Sequence, residues 1–169
     1  MLDEYARIVV ERRGRGSFGC AYSTSDPVKV LKITGDPSEA AAWTRVANLP
    51  PAQRPRSVAK VYCVKALPLA ELKRNSRQFY FVLQERLYPL DRKGTKFFNA
   101  YGDTILTAAG TDAYALEAQE ELREAAKQDL GADMVKPVLA LAKGVRDMAA
   151  LGIQWTDAHA GNFMVSSAR

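Results

Sequence analysis

The chain has little sulfur and almost no imidazole: two cysteines, Cys20 and Cys63, and one histidine, His159. Two thiols form no disulfide framework and no metal-ligand cluster, and a single imidazole nearly excludes a His/Cys zinc site. No stretch approaches the ~20 consecutive apolar residues that a membrane-crossing helix requires. The opening Met1-Leu2-Asp3-Glu4-Tyr5 carries acids and no apolar leader segment, so a reducing cytoplasm is the expected compartment. Internal repeats and low-complexity tracts are also missing, and the composition rules out a disordered, collagen-like or coiled-coil chain. What is present is the mixture of an ordinary globular protein, 47% apolar and 25% charged over 169 residues. That length suits one domain, or two small lobes sharing a cleft. The net charge of +5 gathers in Arg7, Arg12, Arg13 and Arg15, and again in Arg92, Lys93 and Lys96. Either group could meet phosphate, RNA or an acidic protein face, with a solvated surface the plainer reading. No aromatic residues interleave with the basic ones, so a nucleic-acid partner is disfavoured.

Period-2 alternation and turn residues predict strands over 7–11, 18–23, 28–33, 59–64 and 78–84, the first three within about 30 residues. Gly35-Asp36-Pro37-Ser38-Glu39 is a helix start. Asp36 can cap, Pro37 suits the first helical position, and Glu39 lies where a capping box places its acid. That helix runs to about residue 47 and stops before Pro50-Pro51. The second half reads as mainly helical, with segments over 112–130 and 135–148 closed by Gly131 and Gly152. Residues 89–110 have weak periodicity and are expected to form an irregular connection. The expected architecture is α+β, an antiparallel five-stranded lobe with one helix over 1–87 and a reduced helical lobe over 88–169.

Three features carry chemistry. Gly14-Arg15-Gly16-Ser17-Phe18-Gly19 joins a strand to a strand, not a strand to a helix. A glycine flap of that kind lets backbone N–H groups approach phosphate oxygens, although glycines also mark any tight hairpin. Lys32 follows one short strand later and is expected to share a strand face with Val28 and Val30. Its ammonium then pairs with phosphates under the flap, or simply snorkels at a sheet edge. Glu39 likewise has two readings, an ion-pair partner for Lys32 or an ordinary capping acid. The third feature is Trp155-Thr156-Asp157-Ala158-His159-Ala160-Gly161-Asn162-Phe163-Met164-Val165. Asp157 can orient or deprotonate a hydroxyl, Asn162 can ligate Mg²⁺ beside phosphate oxygens, and His159 can donate to a transferred phosphoryl group. A turn satisfying its own backbone is the plainer alternative. It leaves the position of the chain's one histidine unexplained.

Taken in order, Gly14 to Gly19, Lys32, Phe81-Val82-Leu83-Gln84-Glu85-Arg86-Leu87 and Asp157-x-His159-x-x-Asn162 resemble the protein-kinase-like fold. Residues 18–22, 40–44 and 157–164 look, more narrowly, like the early serine/threonine protein kinases of podophages. That family phosphorylates host transcription and RNA-processing proteins. The resemblance implies ATP and Mg²⁺ as cofactors and a host protein as partner in the bacterial cytoplasm. It implies that Gly14, Gly16, Ser17, Phe18 and Gly19 cover the ATP phosphates, that Lys32 pairs with them beside Glu39, and that Ala21 and Val30 roof the adenine. Gln84, Glu85 and Arg86 become the hinge whose backbone meets the adenine edge. Asp157 becomes the catalytic base, His159 stands where most protein kinases have lysine, and Asn162 is a metal ligand. The same histidine choice in aminoglycoside phosphotransferases keeps a small-molecule substrate open. Thr156 replaces the arginine usual before the base, which argues against control by a phosphorylated activation loop.

The resemblance also implies a second metal-binding carboxylate roughly a dozen residues beyond Asn162. Seven residues follow it, Phe163 to Arg169, with no Asp or Glu among them. Two readings stand: a serine/threonine kinase, weak or part of a longer one, and a kinase-shaped protein that binds a host defence or transcription protein without transferring phosphate.

Overall fold

The computed structural model describes residues 9–15 by their backbone, and residues 19–67, 78–155 and 160–166. The protein is α+β, and its described residues divide into two compact units. The first lies within Met1–Arg54 and Ala59–Arg86, the second within Pro55–Val58 and Leu87–Arg169. Residues 55–58 were expected with the first unit. They belong with the second, where a β-carbon on Gly144 would lie only 1.7 Å from the Ser57 hydroxyl oxygen.

The first unit is an antiparallel sheet crossed by one helix. Its strands are β1 (Val9–Arg15), β2 (Gly19–Thr24), β3 (Lys29–Thr34), β4 (Val61–Ala66) and β5 (Tyr80–Glu85), in the spatial order β1-β2-β3-β5-β4. Asp26 builds the turn between β2 and β3. Its carboxylate accepts from the Val28 N–H at 3.1 Å and from Lys29 Nζ at 2.7 Å, while its carbonyl accepts from the Lys29 N–H. The Lys29 hydrogen bond, then the Val28 N–H, hold the Asp26 carboxyl below its ordinary pKa. This turn consumes Val28, which is 59% exposed, so Val28 does not share an apolar strand face with Lys32 as expected.

Helix α1 (Pro37–Asn48) buries Ala40 and Val46 and packs chiefly on β4, with contacts to β5 and β3. Burial of such side chains is the main favourable term, at about 25 cal/mol per Å² of apolar surface. The last turn of α1 has carbonyls without helical partners. Arg54 supplies donors, Nε to Leu49 O at 3.0 Å and Nη2 to Ala47 O at 2.7 Å.

The second unit contains α2 (Arg92–Ala108), α3 (Ala113–Asp129) and α4 (Val135–Ala150), with a small antiparallel pair of β6 (Tyr88–Pro89) and β7 (Met164–Val165). The irregular connection expected over 89–110 is therefore wrong, because a seventeen-residue helix occupies most of it. Asp91 caps that helix by accepting from the Gly94 N–H at 2.7 Å. Its buried set is Gly94, Phe97, Phe98, Gly102, Ile105 and Ala108. The steps of three and four are helical, but glycines stand at two of the inward positions and conceal the apolar stripe. The core joins Phe97, Phe98, Ile105 and Ala108 to Ala118, Leu122, Ala125 and Ala126 of α3, Val138, Ala142 and Val145 of α4, and Phe163. The alanines of α3 let the helices approach closely. Among the described residues no helix is long and apolar enough to cross a membrane.

Candidate functional site

Lys32 lies in the middle of β3, opposite Ala21 on β2 and Val82 on β5. Val30, two residues earlier, lies opposite Ser23 and Gln84. Cross-strand partners share a sheet face, and so do residues two apart. One face therefore carries Ala21, Val30, Lys32, Val82 and Gln84. It is the face that the resemblance assigns to adenine and phosphate.

The first turn of α1 decides between the two readings of Glu39. Asp36 caps it, accepting from the Ser38 N–H at 2.8 Å, the Ser38 hydroxyl at 2.6 Å and the Glu39 N–H at 3.4 Å. The Ser38 hydroxyl first, then the two backbone N–H groups and the Lys32 charge, hold the Asp36 carboxyl below its ordinary value. In a complete capping box the Glu39 carboxylate would return to the Asp36 N–H. Here that N–H donates instead to Thr34 Oγ1 at 3.1 Å, and Thr34 is fully buried. Glu39 is thereby released. Its Oε1 receives Lys32 Nζ in a close salt bridge and also the Trp43 indole N–H at 3.2 Å. The two charged side chains are 34% and 23% exposed, so the pair contributes on the order of 1 kcal/mol to stability at most. The pair holds the Lys32 ammonium beside the first turn of α1.

The glycine hairpin is described only in part. Gly14 lies on β1 opposite Ala21, and Gly19 opens β2 opposite Thr34. A β-carbon on Gly19 would stand 2.1 Å from the Ile33 carbonyl oxygen. The third glycine of the motif is thus required by strand packing, whatever the loop binds. Gly16, Ser17 and Phe18 lie outside the described residues.

The segment expected as the hinge is tied into the sheet. Gln84 sits inside β5, paired with both neighbouring strands. The Glu85 N–H donates to Lys60 O at 2.7 Å and the Arg86 N–H to Val28 O at 2.8 Å. Glu85 Oε2 also accepts from the Lys60 N–H, and Arg86 Nη1 reaches Pro27 O. Sheet register engages the N–H groups of Glu85 and Arg86 within the protein, so those donors do not face a base edge.

In the second unit, Asp157 and His159, together with Thr156, lie outside the described residues. The residues on either side are well anchored. Trp155 stacks on Phe163 with centroids 5.8 Å apart, and Phe163 stacks on Phe98 of α2 at 4.5 Å. The Ala160 N–H donates to Asn99 Oδ1 at 3.2 Å. Asn162 ends the short turn Ala160–Asn162 and is exposed, immediately before β7. Sequence reasoning missed Phe98 and Asn99 because their helix was not recognised. It also assigned no role to Trp43, although an indole four residues after Glu39 on a helix faces the same way. Among the described residues, no group of three or more His, Cys, Asp or Glu side chains is placed to hold a metal ion. Neither a protein-family model nor a curated protein matches the chain.

Proposed function

We propose that the protein is a kinase-like phosphotransferase that binds ATP with Mg²⁺ and phosphorylates serine or threonine of a bacterial host protein, in the host cytoplasm. The observation that carries this reading is the Lys32–Glu39 pair, formed by a glutamate that declines its own helix cap. A capping acid needs no lysine, and a snorkelling lysine needs no partner on a helix. A lysine fixed by a carboxylate on the sheet face that also carries Ala21 and Val30 suits a nucleoside triphosphate.

When bound, Mg²⁺–ATP supplies the γ-phosphoryl group and neutralises charge on the phosphate oxygens. Lys32 adds a positive charge at those oxygens and Glu39 keeps it in place. Asp157 takes the proton of the attacking hydroxyl as its oxygen bonds to the γ-phosphorus, while the bond from phosphorus to the β-phosphate oxygen breaks and ADP leaves. His159 would donate to the moving phosphoryl group, and Asn162 would be the residue that offers a side-chain oxygen to Mg²⁺. Labelling of a bacterial lysate with γ-labelled ATP tests this directly. Lys32→Ala and Asp157→Ala should each abolish labelling, and unchanged labelling in both removes the assignment.

A second reading is a kinase-shaped protein that binds a host defence or transcription protein without transfer. The engaged N–H groups of Glu85 and Arg86 favour it, since they weaken the grip on a base. It predicts that both substitutions leave the biological effect intact.

A further inference from the structure

Glu39 has a choice of partners. Its carboxylate turns about a terminal torsion that is broad and roughly two-fold. The Asp36 N–H lies three residues back, where a capping box would use it. Something must hold the carboxylate toward β3. Two contacts in the first unit do so together. Thr34 Oγ1 takes the Asp36 N–H, which removes the competing donor. The Trp43 N–H bonds to Glu39 Oε1, the same oxygen that Lys32 reaches. Trp43 is half-buried and one helical turn beyond Glu39. An indole nitrogen can only donate, so this contact is specific to an acceptor. A donor to an ionised carboxylate is also stronger than one to a neutral group.

We propose that Trp43 is a positioning residue whose indole N–H locks Glu39 Oε1 onto Lys32, with Thr34 guarding the alternative. The inference uses the geometry of the pair, and its bearing on catalysis rests on the phosphotransferase reading. Trp43→Phe keeps a ring in place and removes the donor. Thr34→Val keeps the buried volume and frees the Asp36 N–H to reclaim Glu39. Both variants weaken the hold on Lys32 without touching either partner of the pair.

The test is amine modification by formaldehyde and cyanoborohydride, read by mass spectrometry as the rate at Lys32 relative to exposed Lys136. Trp43→Phe and Thr34→Val should each raise that ratio at least threefold, as should Glu39→Gln. Trp43→Phe combined with Glu39→Gln should rise no further, because the two residues act as one unit. A raised ratio in Glu39→Gln with no change in folded Trp43→Phe and Thr34→Val overturns the inference, and so does an additive double variant. Should Trp43→Phe fail to fold by circular dichroism, Thr34→Val alone decides. Adding ATP–Mg²⁺ separates the two proposals. Protection of Lys32 in the wild type, reduced several-fold in Trp43→Phe, supports both. A raised ratio in the variants without any protection by nucleotide removes the phosphotransferase reading and leaves the positioning role standing.

Discussion

A single hydroxyl decides how Glu39 is used. Thr34 Oγ1 takes the N–H that a capping box would give to Glu39, and the acid turns to Lys32. The cap itself then rests on Asp36. Asp36→Ala should lower stability at neutral pH by about 1 kcal/mol, the usual cost of losing an N-cap. The sign of its pH dependence follows from the lowered carboxyl pKa. The contribution is complete above the unfolded value of 3.8 and disappears as pH falls through the still lower folded value. Urea unfolding at pH 7 should therefore separate wild type from Asp36→Ala, and the gap should narrow as the pH falls below 3.8. Gly19 offers a second check at this scale. Gly19→Ala must displace the Ile33 carbonyl and should cost roughly 1–3 kcal/mol without any nucleotide present. A loss seen only in nucleotide binding, with unchanged thermal stability, would return that glycine to the phosphate loop.

Among the elements, α2 was the least legible and is the most consequential. Its inward face reads Gly94, Phe97, Phe98, Gly102, Ile105, Ala108, so a scan for large apolar residues finds no stripe. Helices α1 and α3 were legible because acid caps and apolar spacing agree there, and α4 through its apolar spacing alone. The lysine–glutamate pair was legible as a spacing, but the choice between pair and cap depends on Thr34, which no helix pattern includes. The engagement of the Glu85 and Arg86 N–H groups within the protein was not legible, for another reason. Which N–H groups a strand end keeps for a ligand depends on register with its neighbours, and register is a property of the assembled sheet. The C-terminal end of α2 supplies a test. Arg146 on α4 donates to Ala109 O at 2.8 Å, Gly110 O at 2.7 Å and Ala108 O at 3.4 Å, while Gln119 also reaches Ala108 O. These carbonyls end a helix, where a cation is favourable and partners are otherwise lacking. Arg146→Met keeps the apolar stem and should cost about 2 kcal/mol. Arg146→Lys should recover less than half of that, because an ammonium cannot fork across three carbonyls. Thermal melts of the two variants would show whether the fork or merely the charge matters.

For the molecule as a whole, nucleotide binding and folding are linked quantities. A ligand bound only by the native state adds about 2.7 kcal/mol at 100 times its dissociation constant. In a chain of this length that corresponds to a melting shift of roughly 5–10 °C. ATP–Mg²⁺ at saturating concentration should produce such a shift in the wild type. The contrast between variants then identifies the source. Lys32→Ala and Glu39→Gln should lose most of the shift while melting near the wild type in buffer, because a pair exposed to this degree contributes little to folding. Asp157→Ala should keep the shift and lose lysate labelling, since a base acts on the hydroxyl and not on nucleotide affinity. If Lys32→Ala shifts as far as the wild type, the ammonium over the sheet is not a phosphate ligand. The pair would then be a structural strut between β3 and α1, and the phosphotransferase reading would fall with it.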